Sequence, residues 1–92
     1  MTLKWTRASL SDLQRLHAFL HPVNPDAAAC VIQRLTDGPD LLHTQPRIGT
    51  RLPEFEPREV RCLFIGDYEM RYEITADQAV WMLRVWHTRE FR

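Results

Sequence analysis

The 92-residue sequence has no long apolar run, no paired-cysteine motif and almost no lysine. Its uninterrupted apolar stretches are a few residues long, far short of the roughly 20 that cross a bilayer. Met1-Thr2-Leu3-Lys4-Trp5 leads straight into alternating sequence, with no apolar segment of the signal-peptide kind. The expectation is a soluble, cytoplasmic chain with no membrane association. Cys30 and Cys62 lie far apart and outside any CxxC spacing, so they read as buried thiols rather than a bridge or a metal pair. His17, His21, His43 and His87 show no ligand spacing with the cysteines. His17 and His21 stand one helical turn apart without a third ligand, and the expectation is no metal and no cofactor. Formal net charge is zero, with twelve basic residues against twelve acidic ones. Such a balance lacks the basic footprint of a sequence-independent nucleic-acid binder. The basic set is Lys4 plus eleven arginines, and clustered arginines can still bind phosphate bidentately.

What is present is an ordinary globular composition, 45% apolar, in a chain long enough for one core that a partner would reinforce. Leu3 to Arg7 alternates apolar and polar, the period of a strand with one buried face. Ser9 with Asp12 three residues on approximates a capping box. Leu10, Leu13, Leu16 and Leu20 then follow at helical spacing, up to a stop near His21 imposed by Pro22. Asn24-Pro25-Asp26 starts a second helix: an Asn cap, a proline in the first turn and an acid near the positive helix end. Its stripe is Ala28, Val31, Ile32 and Leu35. Gly38-Pro39 should kink or briefly break this helix before it ends ahead of Pro46. The two helices should form an antiparallel hairpin. Pro46 to Pro57 reads as an irregular connection.

Three strands follow. Val60, Cys62 and Phe64 alternate with Arg61, Leu63 and Ile65, and Gly66-Asp67 supplies hairpin-turn chemistry. Tyr68, Met70, Tyr72 and Ile74 alternate with Glu69, Arg71 and Glu73. Val80 to His87 is apolar on both faces apart from Arg84, with Trp81, Leu83 and Val85 expected on one face and Val80, Met82 and Trp86 on the other. Helices cover only one face of a sheet, so Trp81 and Trp86 are candidates for binding an amphipathic partner. Cover by the 46–57 connection, the first strand and the C-terminal tail is the internal alternative. The expected architecture is α+β: an N-terminal strand, then an antiparallel helical hairpin packed on one face of a small antiparallel sheet.

That element order resembles the RelE/ParE toxin superfamily. Asn24-Pro25-Asp26-Ala27-Ala28 is similar to the start of the family's second helix, and Pro46-Arg47-Ile48-Gly49 to the Pro-x-x-Gly that follows it. Val60-Arg61 with Gly66-Asp67-Tyr68-Glu69-Met70-Arg71-Tyr72 resembles its "VR…GxYxxxY" hairpin, and Val85-Trp86-His87-Thr88-Arg89 its "V-x-H-x-R" ending. The joint order carries the resemblance, which covers nearly the whole chain as a single domain over residues 1–92. Gly38-Pro39 departs from the family's continuous second helix. Membership implies a type II toxin that arrests growth when free and is neutralised by an antitoxin whose disordered segment folds around it.

The resemblance leaves two targets open. RelE-like members cut messenger RNA in the ribosome, whereas ParE-like members poison DNA gyrase and lack the nuclease residues. RNA cleavage through the 2′-hydroxyl needs a base, an acid and phosphate-binding cations. Arg61 as phosphate clamp, His87 as base or acid, and Arg89 are the candidates. His87 and Arg89 point the same way on an ideal strand and Arg84 the other way, so a site using all of them needs a twist or bulge. Arg61 has a structural alternative in Glu59 or Glu73, worth about 0.2–1 kcal/mol across a sheet. Arg71 reads as a sheet-surface ion pair between Glu69 and Glu73, and Arg89 and Arg92 as solvated tail charges. Neutral charge, the absence of lysines beside Arg51 and Arg58, and the lack of a C-terminal tyrosine tilt the reading to the ParE-like side. The chain then binds a cognate antitoxin and DNA gyrase, uses no small-molecule ligand, and is not an enzyme. The alternatives are a ribosome-dependent mRNA endonuclease and an inactive antitoxin-binding relic.

Overall fold

A computed structural model describes residues 2–90. Strand β1 (Leu3–Trp5) leads into helices α1 (Arg7–Leu20) and α2 (Pro25–Asp37). A 3-10 helix (Gly38–His43), strand β2 (Thr50–Arg51) and a 3-10 turn (Pro53–Phe55) follow. Strands β3 (Glu59–Ile65), β4 (Tyr68–Ile74) and β5 (Val80–His87) complete the chain. The sheet has the order β1-β5-β4-β3-β2 and is mixed, because β1 runs parallel to β5 while the other pairings are antiparallel. No helix of the described residues is long and apolar enough to cross a membrane.

The local chemistry of most elements is as the sequence suggests. Asn24 caps α2 by accepting a hydrogen bond from the Ala27 amide at 3.0 Å, with Pro25 in the first turn. Pro39 converts the end of α2 into the 3-10 helix, which keeps Leu42 in the core at full burial. Gly66 opens the β3–β4 turn at φ +57°, a left-handed conformation that glycine adopts without steric cost.

Helix α1 differs at its start. Thr6 is the cap, accepting from the Ser9 amide at 3.1 Å, while Ser9 Oγ is fully buried and donates to the Thr6 carbonyl. Asp12 is not part of a capping box. Its carboxylate is drawn instead to Arg84 and the Val85 amide on β5. Leu10 accordingly lies off the buried stripe, at 49% exposure, and Leu13 and Leu16 carry the packing. Cys30 is exposed rather than buried; Cys62 is buried.

The face assignment of β5 also changes. Arg71 stands opposite Arg84 but Tyr72 opposite Met82, so a bulge at Leu83 shifts the alternation. Val80, Met82 and Val85 all enter the core beneath the helices, fully buried with Met70, Tyr72 and Leu35. Val85 and Trp86 therefore both leave the faces expected for them, and Trp86 joins Trp81 on the side away from the helices. The connection after the helices contributes β2, whose Thr50 and Arg51 pair with Cys62 and Arg61.

Tyr72 anchors the Pro46–Gly49 segment that precedes β2. Its hydroxyl donates to the Pro46 carbonyl at 2.8 Å and accepts from the Gly49 amide at 3.0 Å. A Cβ on Gly49 would lie 2.6 Å from both that hydroxyl oxygen and the Cys62 carbonyl oxygen, so only glycine fits. Tyr72→Phe strands the Gly49 amide and is expected to cost about 1–2 kcal/mol, read as a lower urea midpoint with an unchanged slope.

Candidate partner-binding cleft and the arginine network

A concavity lies where the C-terminal half of α1 passes the ends of β4 and β5. It has a volume of about 500 Å³. Leu16, Phe19 and Leu20 form its helical wall, and Tyr68 and His87 form its sheet wall. Phe19 is 78% exposed and Val23 at the end of the same stripe 87%. The α1 stripe is thus wider at its C-terminal end than the sheet covers, which leaves an apolar surface of the kind that marks a protein-docking site.

The rim is polar. Arg15 ion-pairs with Asp12 at 3.2 Å and contacts the Glu90 carboxylate. The His87 ring packs edge-on against Tyr68, centroids 5.1 Å apart, and its Nδ1 accepts from the Arg89 amide at 3.1 Å. That bond leaves Nε2 as the ring nitrogen not engaged by the Arg89 amide. Burial, followed by the neighbouring Asp67 charge, raises the Tyr68 hydroxyl above its ordinary value, so it stays protonated as a wall of the cleft.

The sequence candidates separate in space. His87 and Arg89 sit together at the cleft, but Arg61 does not join them. Arg61 pairs across the ladder with Tyr72 and His87 with Tyr68, which puts them about 13 Å apart along the sheet and two strand spacings of about 4.8 Å across it. The Arg61 guanidinium is also committed. Nε donates to Glu59 at 2.9 Å and Nη1 to the Gly49 carbonyl at 2.8 Å, and the side chain is 15% exposed. Of its two sequence-suggested partners it takes Glu59, while Glu73 goes to Arg58 at 2.7 Å. Arg84 points away from His87, as the alternation requires, and holds Asp12 through Nε at 2.8 Å and Nη2 at 3.1 Å.

On the far face of the sheet the chain supplies its own cover. Arg71 lies between the Trp86 ring (4.7 Å) and the Phe55 ring (5.1 Å), and Arg84 stacks on the same indole at 5.3 Å. Trp86 is left 7% exposed. Trp81 keeps more surface, with the Lys4 ammonium 5.1 Å from its ring centroid. Arg71 is 3.9 Å from Glu69, so its ion pair is the looser part of a stack dominated by cation–π contact. Phe55 of the 46–57 connection thus provides the internal cover. Arg92 lies outside the described residues, as does the end of the tail. Among the described residues no group of three His, Cys, Asp or Glu is placed to hold a metal.

The comparisons with known proteins agree with this fold. The family model described as the ParE toxin of the type II toxin–antitoxin system parDE matches residues 3–91. Among solved structures, the chromosomal ParDE system of P. aeruginosa is similar at TM-score 0.78 and 22% identity, over 95% of each chain. The archaeal RelE–RelB complex of Pyrococcus horikoshii follows at TM-score 0.67 and 16% identity, over 98% of this chain and 97% of that one. The RelBE2 toxin–antitoxin complex of Mycobacterium tuberculosis gives 0.59 and 26%, over 94% and 95%. No curated relative matches. With a family model spanning nearly its whole length, the chain belongs to the ParE toxins of type II toxin–antitoxin systems.

Proposed function

We propose that the chain blocks DNA replication by acting on DNA gyrase, and that its antitoxin neutralises it by seating an amphipathic segment in the α1–β5 cleft. One observation carries the choice of target: the arginines of the sheet region are matched by acids of the same chain. Arg47 and Arg61 share Glu59, Arg51 meets Glu56, Arg58 meets Glu73, Arg71 faces Glu69 and Arg84 holds Asp12. Binding a ribosome and its message draws on unpaired cations released to phosphates. Arg7 and Arg34 on the helices and Arg89 at the cleft stand outside these pairs, but a sheet neutralised in this way suits a protein target better.

For the antitoxin, the support is the exposed apolar wall of the cleft and the complexes with antitoxins that the three similar structures represent. Co-expression with the antitoxin is then expected to raise the yield of soluble toxin. The target is tested with purified gyrase and relaxed plasmid. The expected result is loss of supercoiling with accumulation of cleaved DNA, and unimpaired supercoiling at saturating protein contradicts it. His87→Ala is expected to leave toxicity in cells unchanged, with growth after induction as the measurement. Abolished toxicity in a folded, antitoxin-binding variant moves the reading to RNA cleavage at His87 and Arg89.

A further inference from the structure

Strand β1 accompanies β5 only from Val80 to Met82, where Leu3, Lys4 and Trp5 are the partners. Beyond Met82 no described strand lies along the outer edge of β5. Such an edge presents alternate N–H and C=O groups to any extended chain and is a template for unwanted pairing. Here those groups are already occupied. The Leu83 carbonyl accepts from Thr6 Oγ1 at 3.1 Å. The Val85 amide donates to Asp12 Oδ2 at 2.9 Å, and the Val85 carbonyl accepts from Arg15 Nη2 at 3.1 Å. The His87 amide donates to Glu90 Oε1 at 2.8 Å, and the His87 carbonyl accepts from the Glu90 amide at 3.0 Å.

We infer that Thr6, Asp12, Arg15 and Glu90 act as a side-chain substitute for a sixth strand, and that this substitute keeps β5 from pairing edge to edge with a second copy of the chain. A second copy is the occupant that the geometry favours. Antiparallel pairing about a two-fold axis at Trp86 sets the His87 amide of each copy against the Val85 carbonyl of the other, the two groups that Glu90 and Arg15 now occupy. The apolar cleft borders the same edge, since Arg15 and Glu90 belong to both. Pairing there would bury Phe19 and Leu16 along with the edge. The plug has a fixed part and a removable part. The Asp12 side chain is 5% exposed and anchored by Arg84, whereas Arg15 and Glu90 are 41% and 30% exposed. The inference is independent of the toxin's target and of the antitoxin's seat.

The test is the surface double variant Arg15→Ala with Glu90→Ala, compared with the unaltered protein by sedimentation velocity and by amide hydrogen exchange. At low concentration the His87 amide of the variant should exchange at least about tenfold faster. As concentration rises, the variant should dimerise where the unaltered protein remains monomeric, and the His87 amide should become protected again. A folded variant that associates no more than the unaltered protein overturns the inference. So does association that leaves the His87 amide exchanging fast, because the contact is then the cleft and not the edge. If the double variant fails to fold, Glu90→Ala alone, altered beyond the end of β5, is read by the same two measurements and the same criteria.

Discussion

Asp12→Ala is expected to lower the unfolding free energy by about 2–4 kcal/mol, a large share of the stability of a domain this small. The carboxylate joins α1 to β5 through Arg84 and the Val85 amide and braces Arg15 as well. Its removal leaves the buried Val85 amide without an acceptor, which carries most of the cost. Arg84 is 45% exposed on its side chain and regains water, so its loss adds less. Chemical denaturation monitored by tryptophan fluorescence measures this directly, because Trp86 lies beneath Arg84. A change under 0.5 kcal/mol would mean that water replaces the carboxylate at the edge.

The same group sets a pH dependence. Burial pushes the Asp12 carboxyl up, but hydrogen bonds from Arg84, the Val85 amide and Arg15 outweigh burial and hold it below its ordinary 3.8. A folded value below the unfolded one stabilises the protein at pH above the ordinary carboxylate range. That contribution is lost as pH falls through the folded value. Glu59 behaves with the same sign: burial raises it, and Arg61 and Arg47 more than compensate. Acidification should therefore destabilise the protein below the usual carboxylate range. Asp12→Asn should flatten that dependence in part and leave the Glu59 share.

Phe19→Asp is expected to weaken antitoxin binding by about 30-fold or more, the effect of removing a central aromatic anchor at about 2 kcal/mol or above. Phe19 is 78% exposed in the free chain, so folding should be unaffected. The control is Phe64→Asp on β3, 58% exposed and remote from the cleft. Both variants are compared by titration of the antitoxin against labelled toxin. Binding lost with Phe64→Asp and retained with Phe19→Asp would place the antitoxin on the opposite side of the sheet.

Much of the fold was legible because local signals agreed with tertiary packing. Asn24-Pro25, Gly38-Pro39 and Gly66-Asp67 act within a few residues of themselves, so they survive any packing around them. What failed depended on distant residues. Ser9 and Asp12 carry the spacing of a capping box, yet Arg84 and Val85 compete for Asp12 from the other end of the chain, and Thr6 is left to cap the helix. The bulge at Leu83 has no periodic signature, and it reverses which face Val85 occupies. Strand β2 is two residues long, between Gly49 and Pro53, too short for alternation to register.

The site was legible in the same uneven way. Glu59 was a visible partner for Arg61 because it lies two positions away on the same strand and shares its side. The distance between Arg61 and His87 follows from ladder register, which composition does not encode. The cleft has a signal in the sequence: Leu16, Phe19 and Leu20 widen the α1 stripe at the end of the helix. Trp86 is no such signal, because Arg71, Arg84 and Phe55 of the same chain cover it.

Action on replication through a protein target is tested most directly by controlled expression without antitoxin, followed by pulse-labelling of DNA and protein synthesis. The predicted result is an early stop in DNA synthesis, with filamentation and DNA damage, while translation continues. A prompt stop in translation with cut messages, ahead of any effect on DNA synthesis, would contradict it.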